Sequence, residues 1–400
     1  MDKPKIPIDM ILKHLADYAG EAQDRVQKAS DILLGQLGTD IATTPYEIVY
    51  QEDRVKLKHY TSIGGSGEQI KTPLLVVYAL INRETMLDLQ PERSVVKNFM
   101  QGGINLYMID WGYPSKKDKF QTIDDHINGY MNNIVDFILE REKTPQLNLM
   151  GICMGGTFCV IYCALHPGKV KNLITTVCPT NFDTKQGLLH IWMKDINVDQ
   201  MISTYGNMPG DLMNFGFLLL NPARLMIDKY VGFINHMDSK DFVENFVRME
   251  KWIFDSPDVP GETFKQFVRD GYQKNLLIQG KMEVGGQRVN LKNITMPVLN
   301  IYGQYDHLVP PAAADKLTGE VGSADTEDLC LDTGHIGIYV SSKTQKEFTP
   351  KIIQWLKERD DLVFSPRKKP SGKSGRKKSE RSSQNKAKKS TVRDKEISHA

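Results

Sequence analysis

The stretch LNLMGICMGG, residues 147–156, decides the fold. A short apolar run, Leu147 to Met150, breaks at Gly151, and Cys153 stands between Gly151 and Gly155. This G-x-C-x-G spacing is the cysteine form of a nucleophile elbow, in which the reactive side chain sits on a sharp strand-to-helix turn. The turn holds the nucleophile in strained backbone, and side chains two residues away on either side would collide with it. Helical character over Thr157–His166 puts Cys153 at a helix N-terminus, where unpaired N–H groups and the dipole favour a thiolate. Taken alone, the pattern also fits a buried structural cysteine, the ordinary fate of a free thiol.

Two later stretches favour the nucleophile. Val298–Tyr302 reads as a strand, with Gly303-Gln-Tyr-Asp306 at its end. Leu329–Leu331 reads as another, followed by Asp332-Thr-Gly-His335. Nucleophile, acid, histidine is the chain order of α/β-hydrolase triads, so Cys153, Asp306 and His335 are the expected catalytic set. Four other groups have blander readings. His307 beside Asp306 should point away from the site, Asp332 should be a turn residue, His166 should close a helix, and His126 should open one at the surface.

Working outward, Glu47–Tyr50 and Arg54–Tyr60 alternate like two paired strands. Pro73–Tyr78 and Ile104–Ile109 are continuous apolar runs, as buried parallel strands are; Val170–Val177 is the next strand after the elbow, and a helix fits Asp125–Arg141. Strand–helix alternation at this pace predicts a mostly parallel sheet. The alternation stops over residues 183–293, which are aromatic- and Met-rich with helical periodicity. The expected organisation is therefore an N-terminal helix and first part of the α/β core over 1–182, an inserted and mainly helical cap over 183–293, and the rest of the core over 294–365. Residues 366–400 form a tail too poor in large apolar residues to fold. Within 8–35, Ile11, Leu15, Tyr18, Ala22, Val26, Ala29 and Leu33 form a one-sided stripe that either packs on the body or docks a partner.

Composition sets the bounds. A hydrophobic fraction of 40% and a charged fraction of 25% are those of a globular protein. No apolar run approaches the roughly 20 residues of a membrane span, and no signal peptide is read at the N-terminus. Five cysteines, an odd number without metal spacing, fit a reducing cytoplasm. The net charge of +2 hides an asymmetry: residues 366–400 hold 13 Lys+Arg and 3 Asp+Glu. That leaves 38 of the 51 basic and 46 of the 49 acidic residues in an acidic body of net −8, against a tail of net +10. The tail is either a solvated appendage or a tether to a polyanion, nucleic acid or an acidic partner.

With these motifs on the page, the chain resembles the catalytic subunit of a polyhydroxyalkanoate synthase, of the class III type that works with a PhaE subunit. The resemblance runs from about Ile6 to Arg359. It is carried by Val77-Tyr-Ala-Leu-Ile-Asn-Arg83, Leu106-Tyr-Met-Ile-Asp-Trp-Gly-Tyr-Pro114, Gly151-Ile-Cys-Met-Gly-Gly156, Arg248-Met-Glu-Lys-Trp-Ile-Phe-Asp-Ser-Pro257, Tyr305-Asp-His-Leu-Val-Pro310 and Gly334-His-Ile-Gly-Ile-Tyr339. The family's nucleophile, acid and histidine match Cys153, Asp306 and His335. Met154 stands where many members have Gln, and the basic tail has no counterpart in the usual class III subunit.

The resemblance implies an acyltransferase that polymerises a (3R)-hydroxyacyl-CoA, of short chain such as 3-hydroxybutyryl-CoA, through a Cys153 thioester. CoA arrives as part of the substrate, and no separate cofactor or metal is implied. Backbone N–H groups of Met154 and Ala79 are the expected oxyanion donors. Implied partners are a PhaE-type second subunit, in a homodimer or hetero-oligomer, and a cytoplasmic polyester granule surface. The rival readings are a cysteine-nucleophile thioesterase or esterase on the same fold and a non-catalytic granule-surface protein.

Overall fold

The apolar runs become strands of one sheet in the computed structural model, which describes residues 27–32, 40–60, 68–360 and 362–364. In chain order the strands are β1 (Glu47–Glu52), β2 (Val55–Tyr60), β3 (Glu68–Ile70), β4 (Leu74–Val77), β5 (Leu106–Asp110), β6 (Leu147–Ile152), β7 (Val170–Thr176), β8 (Glu283–Val284), β9 (Gln287–Arg288), β10 (Val298–Gly303), β11 (Thr326–Leu331) and β12 (Leu362–Phe364). The main sheet has eight strands in the order β1-β2-β5-β4-β6-β7-β10-β11. It is antiparallel at β1–β2 and β2–β5 and parallel from β5 onward. β3 with β12 and β8 with β9 make two small antiparallel pairs.

Burial explains the central strands. Every residue of β4, β5 and β6 is buried, as a parallel strand covered on both faces requires. Each large side chain hidden there contributes about 1.5–3 kcal/mol. A polar ladder crosses this core and pins its register. Asn172 donates to Asn148 at 2.8 Å, Thr175 donates to Asn300 at 2.8 Å, and Asn300 donates to Asp328 at 2.8 Å. A one-residue slip would leave the buried Asn148, Asn172, Thr175 and Asn300 unpaired, at about 1–3 kcal/mol each.

The helix Met154–Leu165 follows β6 and packs on β6 and β7. All but its last residue are buried, which suits a helix that is apolar all round. Between β7 and β10 come the helices Leu188–Asp195, Val198–Tyr205, Gly210–Leu220, Lys229–His236, Lys240–Phe254 and Gly261–Gln266. They are fastened to the sheet side of the molecule by hydrogen bonds from Trp252 Nε1 to the Arg83 carbonyl, 2.8 Å, and from Tyr113 to Asp255, 2.5 Å.

Residues 27–32 are helical, and Ala29 is buried with Tyr230, Phe233, Met237, Val243 and Val247. This turn of the expected 8–35 helix therefore packs on the helical segment. The remainder of that helix and the tail 366–400 lie outside the described residues.

Candidate active site

Cys153 follows the last residue of β6 with φ +53° and ψ −122°. Few residues bearing a Cβ adopt that backbone, at a cost on the order of 1–3 kcal/mol. Three backbone hydrogen bonds hold it. Its N–H donates to the Thr176 carbonyl at 2.9 Å, and its own carbonyl accepts from Gly156 at 2.9 Å and Thr157 at 3.2 Å. The flanking glycines are required by space. A Cβ at Gly151 would lie 2.5 Å from Gly156 Cα, and one at Gly155 would lie 2.3 Å from the Val77 carbonyl oxygen. The elbow geometry read from the spacing is thus present.

The sheet register brings the other ends to the same edge. Val77 pairs with Gly151, Ile152 with Thr176, and Gly303 with Leu331. The loop after β10 carries Asp306 and the loop after β11 carries His335, both buried. His335 Nδ1 donates to Asp306 Oδ2 at 2.7 Å. The other carboxylate oxygen accepts the backbone N–H groups of Leu308 and Val309, each at 2.8 Å. Nδ1 thus faces the carboxylate, and the Cys153 side chain lies near enough to the imidazole to favour its charged form. Burial alone would lower the His335 pKa, but the Asp306 carboxylate and then Cys153 outweigh it and push it up to about 10. The arrangement can take a proton from the thiol and keep the resulting imidazolium.

Met154 is the first residue of its helix, so its N–H belongs to the turn that has no partner within the helix. The Tyr78–Ala79 peptide lies against the same turn: a Cβ at Gly155 would lie 2.6 Å from the Tyr78 carbonyl oxygen. The two expected oxyanion positions are therefore neighbours.

The weaker candidates separate from this group. Asp332 forms a solvent-exposed ion pair with Lys343. His166 closes the helix after the elbow and bonds Asn128 at 2.7 Å. His307 is half-buried; burial lowers its pKa against the pull of Asp306, and it takes no part in the Asp306–His335 bond. The expectation that His126 lies at the surface is wrong. It is fully buried, its Nδ1 lies 2.8 Å from the Thr122 carbonyl oxygen, and its ring packs among Trp111, Tyr130 and Phe158. Burial pushes its pKa down to about 4.

Several residues around the site went unremarked in the sequence. Tyr339 hydrogen-bonds Thr176 at 2.7 Å, and the charges of Cys153 and Asp306 reach its hydroxyl. Tyr272 feels the same two charges and packs with Phe182 and Phe267. His190 is buried beside Tyr272. Tyr78 and Tyr339 fall inside the quoted motifs, a signal that could have drawn attention to them. Among the described residues, no group of three or more His, Cys, Asp or Glu could hold a metal ion, and no helix is long and apolar enough to cross a membrane.

Comparison with known proteins agrees with this fold. A family model described as alpha/beta hydrolase fold matches residues 72–341, and one described as Poly-beta-hydroxybutyrate polymerase (PhaC) N-terminus matches residues 9–99. The poly(3-hydroxyalkanoate) polymerase subunit PhaC of Thiocystis violacea is 46% identical over 353 residues, covering 88% of this chain and 99% of the relative. The protein of that name from Allochromatium vinosum is 46% identical over 351 residues, 88% of this chain and 98% of the relative. That of Synechocystis sp. is 43% identical over 326 residues, 80% and 86% of the two chains. The chain belongs to the PhaC family of poly(3-hydroxyalkanoate) polymerases, acyltransferases built on the α/β-hydrolase fold.

Proposed function

We propose that the protein polymerises a (3R)-hydroxyacyl-CoA, such as 3-hydroxybutyryl-CoA, into polyhydroxyalkanoate through a thioester on Cys153. The observation that carries this reading is the 2.7 Å Asp306–His335 pair beside a cysteine on an elbow, in a chain of this family. His335 takes the Cys153 proton, and the sulfur attacks the substrate's thioester carbonyl. The N–H groups of Met154 and Ala79 stabilise the oxyanion. Collapse breaks the bond to CoA, whose sulfur leaves with the proton held by His335. The exchange of one thioester for another is nearly thermoneutral. The 3-hydroxyl of a second hydroxyacyl group then loses its proton to His335 and attacks the Cys153 thioester, forming the ester and freeing the cysteine. Asp306 orients His335 and keeps its tautomer, with or without a direct part in deprotonating that hydroxyl.

Water competes with the hydroxyl, so the nucleophile must be kept dry. Residues 183–293 act as the cap that does this, with Phe182, Phe267 and Tyr272 packed together near the site. CoA enters as part of the substrate and no other cofactor is used. The enzyme works with a PhaE-type second subunit, as a homodimer or hetero-oligomer, on the surface of cytoplasmic polyester granules. The basic tail 366–400 contacts a polyanion without serving catalysis, so its deletion should abolish low-salt retention on heparin and leave CoA release intact. The deciding experiment supplies (3R)-3-hydroxybutyryl-CoA to the protein with and without a PhaE subunit and follows CoA release and polymer. Polymer accumulating with CoA, and a lag that the second subunit removes, support the reading. Free acid in place of polymer would make the chain a hydrolase.

A further inference from the structure

The helix Leu188–Asp195 packs Leu189 and Met193 against the core, yet it also buries a histidine while large apolar residues face out. Leu188, Ile191 and Trp192 are 43%, 47% and 38% exposed, whereas His190 is 2% exposed. An amphipathic helix ordinarily turns its apolar side inward. Burying the imidazole has a cost, because among the described residues neither Nδ1 nor Nε2 of His190 has a hydrogen-bond partner. A buried polar group left unpaired costs about 1–3 kcal/mol. Something other than stability keeps the imidazole there.

Its surroundings say what. The ring packs 5.1 Å from that of Tyr272, whose hydroxyl lies within reach of the charges of Cys153 and Asp306. Gly187, just before the helix, abuts the loop whose N–H groups hold Asp306. A Cβ there would lie 3.1 Å from the His307 carbonyl oxygen, 3.6 Å from Pro310 and 3.7 Å from His190 Nδ1. The unpaired imidazole is thus walled in between an aromatic side chain of the helical segment and the acid loop of the triad. Burial pushes its pKa down to about 4, against the pull of Asp306. At neutral pH it is therefore uncharged, with one N–H donor and one acceptor nitrogen, and it is a weak base. Proton abstraction belongs to His335. A hydroxyl, which both donates and accepts, is the complementary partner.

An acyl group carried on Cys153 brings two polar features. The carbonyl is met by the backbone donors at Met154 and Ala79. The 3-hydroxyl has no partner among the aromatic neighbours Phe182 and Phe267. We propose that His190 is the hydrogen-bonding subsite for the substrate's 3-hydroxyl, which selects hydroxylated over plain acyl groups and positions the hydroxyl that extends the chain. This rests on the polymerase reading above.

The test compares the full chain, with its second subunit, as wild type, His190→Leu and His190→Gln. Single-turnover acylation of Cys153 is measured with (3R)-3-hydroxybutyryl-CoA and with butyryl-CoA. Loss of one neutral hydrogen bond, with the hydroxyl stranded, should lower the preference for the hydroxylated substrate by about tenfold or more in His190→Leu. Butyryl-CoA should react within about threefold of wild type, and His190→Gln should restore much of the preference. Because the leucine removes two unpaired nitrogens, the thermal midpoint of His190→Leu should hold or rise. An unchanged preference, an equal loss for both substrates, or a leucine variant that fails to fold would each overturn the inference. Polymer formation by the wild type, scored separately, reports on the polymerase reading, and a wild type that makes only free acid overturns both.

Discussion

Replacing Asp306 by Asn tests how the triad is built. One carboxylate oxygen accepts two backbone N–H groups, from Leu308 and Val309 at 2.8 Å each, and the other accepts His335 Nδ1 at 2.7 Å. An amide has only one oxygen. The two fixed donors will claim it, which turns the amide NH₂ toward His335. Nδ1 must then accept, the ring proton moves to Nε2, and the nitrogen nearest Cys153 can no longer take a proton. Wrong tautomer and lost counter-charge together should cost on the order of 10²–10⁴ in rate, about 2.7–5.5 kcal/mol of barrier. The assay is quenched-flow CoA release, with the first equivalent reporting acylation and later ones elongation. If Asp306 acts mainly on the 3-hydroxyl, the variant will acylate and then stall before polymer forms; equal loss of both phases argues against that separate role. A loss of less than tenfold in both phases would refute the tautomer argument. The pH dependence of stability gives an independent check. Burial lowers the His335 pKa, but Asp306 and then Cys153 raise it to about 10, above its unfolded value. The pair therefore stabilises the fold fully below about pH 6.5, and that contribution is lost as pH rises toward 10. The stability gap between wild type and Asp306→Asn should narrow across that window.

Other perturbations follow from the packing. In Gly155→Ala the new methyl meets the Val77 carbonyl oxygen at 2.3 Å, so the elbow helix must shift; a loss of about 1–3 kcal/mol in chemical unfolding and a large loss of CoA release are expected. His126 is buried with its pKa pushed down to about 4, so its stabilising neutral form is intact above about pH 6.5 and is penalised as pH falls. Urea melts should show His126→Leu gaining about 2 kcal/mol on wild type between pH 7 and pH 5. Cys330 is exposed, and its thiol bonds Gln304 at 3.2 Å, away from the triad, so Cys330→Ala should keep wild-type CoA release within about twofold.

The features that local chemistry dictates were legible in the sequence. Gly151 and Gly155 announce the turn because no Cβ fits at either place, and the apolar runs at Leu74–Val77 and Leu147–Met150 announce strands because both their faces are covered. The acid and histidine could be read because each follows a strand end. What stayed hidden depends on partners distant in the chain. His126 sits in a turn rich in polar residues, and only contact with Trp111 and Phe158 buries it. Its turn is also a π-helical stretch over Asp125–Met131, which breaks the phase a 3.6-residue period assumes. His190 is hidden for a similar reason. Its helix carries Leu188, Ile191 and Trp192, which a periodicity argument turns inward, yet Tyr272, far along the chain, takes the histidine side. The Asn148–Asn172 and Thr175–Asn300 pairs depend on the sheet register, which no local pattern in the sequence encodes.

The central claim is that Cys153 carries the growing chain. It is tested most directly by quenching the enzyme in acid during turnover with (3R)-3-hydroxybutyryl-CoA and weighing the peptide that spans Gly151–Gly156. A hydroxylamine-labile acyl adduct on Cys153, absent from Cys153→Ala, which folds but releases no CoA, is the predicted result. An adduct on another residue, or full activity in Cys153→Ala, would contradict the account.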